Sequence, residues 1–141
     1  MFQDEGYKFM GAAFEVYNEL GYGMAEEVYQ QSLEIELAIR NILFVTKQEL
    51  RMYYKGRQLL THYVPDLFVF GGIVTGLKAV TSLTTDHEAQ LFNYVRISRQ
   101  PVGYLINFGY KNELQWKRFI LSDLHKKADT TFSNIPGGPA Q

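Results

Sequence analysis

The sequence predicts a single-domain α/β or α+β layer sandwich, and three observations carry that prediction. Two stretches with helical period open the chain. A run of β-branched and aromatic segments broken by glycines fills the middle. One more helical stretch then precedes two final strands. At 141 residues the chain is one domain's worth on the usual ~100–200 residues. Hydrophobic residues at 46% and charged residues at 21% exclude wholesale disorder. The absence of cysteine excludes disulfides, thiolate zinc sites, iron–sulfur clusters and a cysteine nucleophile.

The elements follow in order. Residues 4–19 read as an amphipathic helix with Tyr7, Met10, Phe14 and Tyr17 on its apolar stripe. Gly21 and Gly23 end it and turn the chain. A second helix runs from about Ala25 to Arg40. Ala25, Tyr29, Leu33 and Leu37 step by four along it, while Val28, Ser32, Ile35 and Ile39 widen the stripe. Strands are expected at 43–48, 50–55, 58–64, 66–70 and 73–80, with breaks at Lys55-Gly56 and Gly71-Gly72. The second break signals a tight hairpin. Helical period returns over 85–99, capped by Thr85 or Asp86. Two strands, 102–108 and 114–121, complete a domain over 1–121, and the polar run 122–141 is expected as a flexible tail.

Charge is uneven. The net −1 gives no global argument for nucleic acid or membrane. Residues 1–40, however, carry eight acids against Lys8 and Arg40, and seven basic residues fall between 96 and 127. A basic C-terminal half can attract phosphates while an acidic patch holds metal; solvated helix faces are the bland alternative. No apolar run approaches the ~20 residues of a membrane span, and the start MFQDEGYK lacks a signal peptide's features. A cytoplasmic protein with no membrane association is the expectation.

Some residues stand out against this pattern. Glu26 and Glu36 fall inside the second helix's stripe, where a carboxylate is costly unless paired, hydrogen-bonded or bound to a cation. Asp66 opens one strand of the hairpin. Lys78 sits near the end of its partner, within reach of Asp66, in an apolar run where a lysine is either snorkelling or functional. A plain Asp–Lys surface pair is the bland alternative. Tyr29 reads as core, Glu36 as a hydrogen-bonded structural acid, and His87 as a water-exposed residue at a helix start. Trp116 beside Lys117 and Arg118 could stack on a base, although packing is the commoner role.

The segments GAAFEVYNELGYGMAEEVYQQSLEIEL (11–37), YYKGRQL (53–59), YVPDLFVF (63–70), LKAVTSLTTDHEAQLFNYV (77–95) and VGYLINFGYKNELQWKRFI (102–120) resemble the GxxExxY protein family. That family is named for the motif present here as Gly23, Glu26 and Tyr29. The resemblance runs in order over residues 5–121. It implies the PD-(D/E)xK nuclease superfamily, with a restriction-endonuclease-like α/β core in which helices flank a mixed central sheet. It further implies a phosphodiester-hydrolysing nuclease acting on DNA or RNA with Mg²⁺ or Mn²⁺. Asp66 would be a metal ligand, the Leu77 carbonyl and an acid two residues before Lys78 would join it, and Glu26 would add a carboxylate. Lys78 would handle the nucleophilic water, and Gln90 would be the helix glutamine of RecB-like members. The chemistry suits these types: Mg²⁺ takes oxygen ligands, and a bound metal lowers the pKa of its water.

The pattern breaks at Thr75-Gly76-Leu77-Lys78, where the family reads V-E-L-K. Gly76 stands at the acid's position and has no side chain to bind a cation. Three accounts remain open: a degenerate, inactive or weakened nuclease; a site rebuilt from another acid, Glu26 before Glu88; or an engineered or accidental Glu→Gly change. A non-catalytic nucleic-acid- or protein-binding module on the same fold is the rival from another class. The size and aromatic surplus also allow a homodimer.

Overall fold

The computed structural model of the chain describes residues 2–122. Two helices, α1 (Gln3–Leu20) and α2 (Glu26–Ile39), lead into β1 (Phe44–Thr46), β2 (Leu50–Tyr54), β3 (Arg57–Tyr63), β4 (Leu67–Val69) and β5 (Ile73–Lys78). Then come α3 (Thr85–Ser98), β6 (Val102–Asn107) and β7 (Gln115–Ile120). Every element expected from the sequence forms, in the expected order. The expected tail, including His125, Lys126 and Lys127, lies outside the described residues beyond Ser122. Among the described residues no helix is long and apolar enough to cross a membrane.

Five strands make one mixed sheet in the order β1-β4-β5-β6-β7, and β2 with β3 forms a separate antiparallel ribbon. Only the β5–β6 pair is parallel. A parallel pair needs a crossover, and α3 supplies it. Side chains alternate across β5, so Ile73 and Leu77 join the core under α1 and α2 while Val74 joins the core under α3. The site described below sits on the α3 side of this sheet.

Both opening helices keep the centre of the expected stripe, Met10 in α1 and Tyr29, Leu33 and Leu37 in α2, but its edges differ. In α1 the sheet-facing residues are Phe9, Ala12, Ala13 and Val16, whereas Tyr7 and Phe14 stay exposed. Small residues let the helix approach the sheet closely, and that fit outweighs the larger area the aromatics would bury. Gly6 shows how close: an added Cβ would lie 2.1 Å from the Tyr104 hydroxyl. In α2 the buried residues are Tyr29, Gln30, Leu33 and Leu37; Val28, Ile35 and Ile39 are exposed and Ala25 lies outside the core. Gln30 takes an inward place because its amide has partners there, donating to the Asp66 carbonyl (3.2 Å) and the Glu34 carboxylate (2.8 Å). Glu36 is the structural acid expected, accepting from Arg40 Nε at 2.7 Å.

The hairpin turn is displaced by one residue from the expected Gly71-Gly72. Phe70 and Gly71 carry the left-handed φ values, 55° and 72°, and the Gly72 N–H donates to the Val69 carbonyl. Thr84, rather than Thr85 or Asp86, caps α3: its hydroxyl accepts from the His87 N–H, and His87 Nδ1 accepts from the Thr84 N–H at 3.0 Å.

The fully buried Asn107 ties the β5–α3 connection to the end of β6. Its Oδ1 accepts from the Val80 and Gly109 N–H groups, and its amide donates to the Val80 carbonyl and Gln115 Oε1. Asn107→Ala would strand several buried backbone groups, each costing about 1–3 kcal/mol. A loss of at least that size in urea unfolding is the expected result.

Candidate active site

Three positions on one side of the sheet converge at the C-terminal end of β5. Continuing the Leu67–Thr75 register by one step brings Asp66 alongside Gly76, and Lys78 follows two residues later on the same side. Asp66 is locked. Its Oδ2 accepts from the Leu77 N–H at 2.6 Å, taking a ladder bond that a backbone carbonyl would otherwise hold. Its own N–H donates to the Thr75 carbonyl, and its carbonyl accepts from the Lys47 N–H and from Gln30. Pro65 just before it has no N–H to offer and fixes the chain's entry.

Lys78 does not pair with Asp66 as the sequence allowed. Its Nζ donates to Gln90 Oε1 at 2.7 Å, so the helix glutamine holds the lysine head. The ion partner of Asp66 is Lys47, with Nζ 3.4 Å from Oδ1. Lys47 lies in the β1–β2 connection, held in the left-handed region at φ 48°. Nothing in the sequence signals its place, because only the tertiary fold carries that connection to the β4 strand.

Glu26 begins α2 at an exposed position rather than in the buried stripe expected for it, because the first turn of the helix projects past the core, and its charge is felt at the same spot. Its carboxyl pKa is pushed up by burial and by the negative charge of Asp66, opposed by Lys78, Lys47 and His87. Burial and the Asp66 charge therefore favour its protonated form. The Tyr94 phenol, one turn after Gln90 on α3, is also raised, first by burial and then by Asp66. It stays a neutral hydroxyl within electrostatic reach of both acids. Tyr94 was not anticipated, although its four-residue spacing from Gln90 places both on one face of a helix.

The approach of Glu26 depends on the glycine loop before it. Gly21 and Gly23 take φ of 69° and 101°, which suit glycine. The Tyr29 hydroxyl donates to the Gly21 carbonyl at 2.5 Å and accepts from the Met24 N–H at 3.1 Å. Its fully buried ring stacks on Phe108 at 4.7 Å. The Gly23–Glu26–Tyr29 spacing thus has a physical account: a turn, an aimed carboxylate and the clamp that holds both. Glu88 is directed elsewhere, pairing with Lys117 at 2.9 Å.

A divalent cation would meet two carboxylates here. Asp66 and Glu26 supply two carboxylates, and no cluster of three or more metal-binding His, Cys, Asp or Glu side chains exists among the described residues. Gly76 is the position where the resemblance would put a third. It is buried in an ordinary backbone conformation, and an added Cβ would sit 3.6 Å and 3.7 Å from Leu91 and Leu105 methyls, normal contact distances. The residues present therefore fall one acid short of a full set. The fold itself does not demand the glycine. Gly76→Ala is expected to leave stability unchanged or raise it by about 0.5–1 kcal/mol. By contrast, at Gly103 a Cβ would press to 2.3 Å from Val95, so Gly103→Ala should cost about 1–3 kcal/mol in the same urea titration.

A family model described as the PD-(D/E)XK nuclease superfamily matches residues 3–119. Among solved structures, the crystal structure of SSO0001 is similar over 73% of this chain, with a TM-score of 0.53 and 17% sequence identity. The match covers 55% of that protein, so this chain spans about half its length, and the likeness concerns the fold. No match was found among curated proteins.

Proposed function

The chain belongs to the PD-(D/E)XK nuclease superfamily, and from this premise we propose that it carries a metal-dependent phosphodiesterase centre for DNA or RNA, impaired at Gly76. We place it in the GxxExxY group on its Gly23, Glu26 and Tyr29. Asp66, Glu26 and the Leu77 carbonyl are the remaining donors for Mg²⁺ or Mn²⁺. Lys78 is the water-handling cation and Gln90 its positioning residue. One observation carries the reading: Asp66 and Lys78 flank, on one side of two adjacent strands, a glycine position with room for a side chain. In a nuclease the carboxylates hold the metal, and a lysine near the scissile group offsets charge building on the phosphate. The Lys78–Gln90 contact and the absence of a side chain at Gly76 support reading the centre as incomplete.

The test pairs calorimetry with a cleavage assay on the unaltered chain. Weak Mn²⁺ binding that disappears in Asp66→Asn is expected, with no measurable cutting of single-stranded DNA, duplex DNA or RNA. Rapid cutting would refute the impairment, and Glu26→Gln would then show whether that acid has taken over. Absence of metal binding, alongside nucleic-acid binding indifferent to chelator, would replace the nuclease reading with a binding module.

A further inference from the structure

A groove of about 970 Å³ runs along α1 on the sheet face opposite the candidate active site. Its floor is Tyr104 and Trp116, stacked at 6.0 Å and 20°. Trp116 pairs in register with Ile106, a residue of the core under α1 and α2, and so points away from α3. Tyr7 and Phe14 rise along one wall, and both are more than a third exposed, Tyr7 at 83%. These are two of the three aromatics expected in the core of α1, and the structure leaves them lining an open channel.

Three cations share the lining, Lys8, Arg40 and Arg118, and among the described residues no carboxylate does. Two of the cations are held in place. Arg118 Nε donates to the Tyr104 hydroxyl at 3.1 Å. Arg40 Nε pairs with Glu36, and its guanidinium lies against Gly11, where an added Cβ would come within 3.2 Å of it. Exposed aromatic faces alternating with cations along one channel match one chemistry: a polyanion whose flat groups are unpaired and free to stack.

We propose that this groove binds a single strand of nucleic acid, stacking bases on Tyr7, Phe14 and Trp116 and drawing its phosphates to Lys8, Arg40 and Arg118. The site is separate from the candidate active site and does not depend on cleavage. A duplex hides its base faces, so an unpaired strand is the occupant that the aromatics select.

Trp116 is the sole tryptophan of the chain and reports directly. Its fluorescence would be followed in EDTA while oligo(dT), oligo(U) or a duplex of equal length is added. Quenching by the single strands, with affinity falling as salt rises, is expected. Tyr7→Ala, at a site too exposed to threaten folding, should weaken binding about tenfold. Lys8→Gln should reduce the salt slope by about 0.7. Lys117→Gln makes the same charge change on the opposite face and should leave affinity unchanged.

Any of four results would overturn the proposal: no quenching, equal or better binding of duplex, insensitivity to Tyr7→Ala, or equal loss in Lys117→Gln. A loss of binding in Lys78→Gln but not in Tyr7→Ala would place the strand in the active site instead, overturning the groove while favouring the nuclease reading. Concentration-dependent dimerisation that buries Trp116 and is abolished by Tyr7→Ala, without strand binding, would assign the groove to a second copy. Success with the unaltered chain in EDTA would stand even if no variant ever cuts.

Discussion

Gly76→Glu is expected to raise metal-dependent cleavage at least a hundredfold over that of the unaltered chain. The position tolerates the change at its base, since the new Cβ meets only Leu91 and Leu105 methyls at ordinary distances. Cross-strand neighbours on one face sit about 4.5–5.5 Å apart at Cβ, so the new carboxylate would lie beside that of Asp66. Without a cation the two charges repel in a half-buried setting, and the variant should be less stable than the parent in EDTA. Adding Mn²⁺ or Mg²⁺ should reverse this, because a ligand at a hundred times its dissociation constant stabilises by about 2.7 kcal/mol. Lys47 is no obstacle. Its side chain is 60% exposed, and an ion pair of that kind contributes only about 0–1 kcal/mol. Lewis-acid stabilisation of several kcal/mol at the phosphate, at about 1.4 kcal/mol per tenfold, sets the scale of the gain. Either Lys78→Ala or Asp66→Asn in the same background should remove it. Metal-dependent stabilisation without cutting would leave the metal site standing and sink the nuclease reading.

Truncating Tyr29 should be among the most damaging changes to stability. The ring is fully buried against Phe108, and Tyr29→Ala is expected to cost about 3–5 kcal/mol, much of the ~5–15 kcal/mol available to a domain. Tyr29→Phe isolates the hydroxyl. It keeps the stack and leaves the Gly21 carbonyl and the Met24 N–H without this partner, at about 1–3 kcal/mol. Because Glu26 starts α2 just beyond that loop, Tyr29→Phe in the Gly76→Glu background should also weaken Mn²⁺ binding. A Tyr29→Phe chain as stable as the parent would mean that solvent replaces the hydroxyl and that the clamp is not what holds the turn.

Periodicity and glycine punctuation were enough to place all ten elements, because each signal is local to a few residues. What escaped the sequence was the edge of the buried stripe on each opening helix. Tyr7 and Phe14 satisfy the helical period as well as Phe9 and Val16 do, and only the shape of the sheet surface decides between them. The same ambiguity hid Gln30, whose inward amide is intelligible once the Asp66 carbonyl is beside it. For the candidate site, the resemblance named Glu26, Asp66, Gly76, Leu77, Lys78 and Gln90, and the fold brings them to one end of the sheet. Lys47 and Tyr94 were missed for different reasons. The first arrives through a connection with no period, whereas the second lay within reach of a simple i, i+4 count from Gln90.

The β2–β3 ribbon hydrogen-bonds within itself rather than to the main sheet. Its base is anchored where Leu50 and Tyr63 pack under α3, with Tyr63 edge-on to Tyr94 at 5.6 Å, while Leu60 midway along β3 is wholly exposed. Such a unit can open without breaking any bond of the five-stranded sheet, so its amide protons should exchange with solvent well before those of β5 and β6. Each opening would also release one neighbour of the Tyr94 ring, whose hydroxyl feels the charge of both acids. The breathing of a peripheral hairpin is thereby coupled to the packing around the candidate active site.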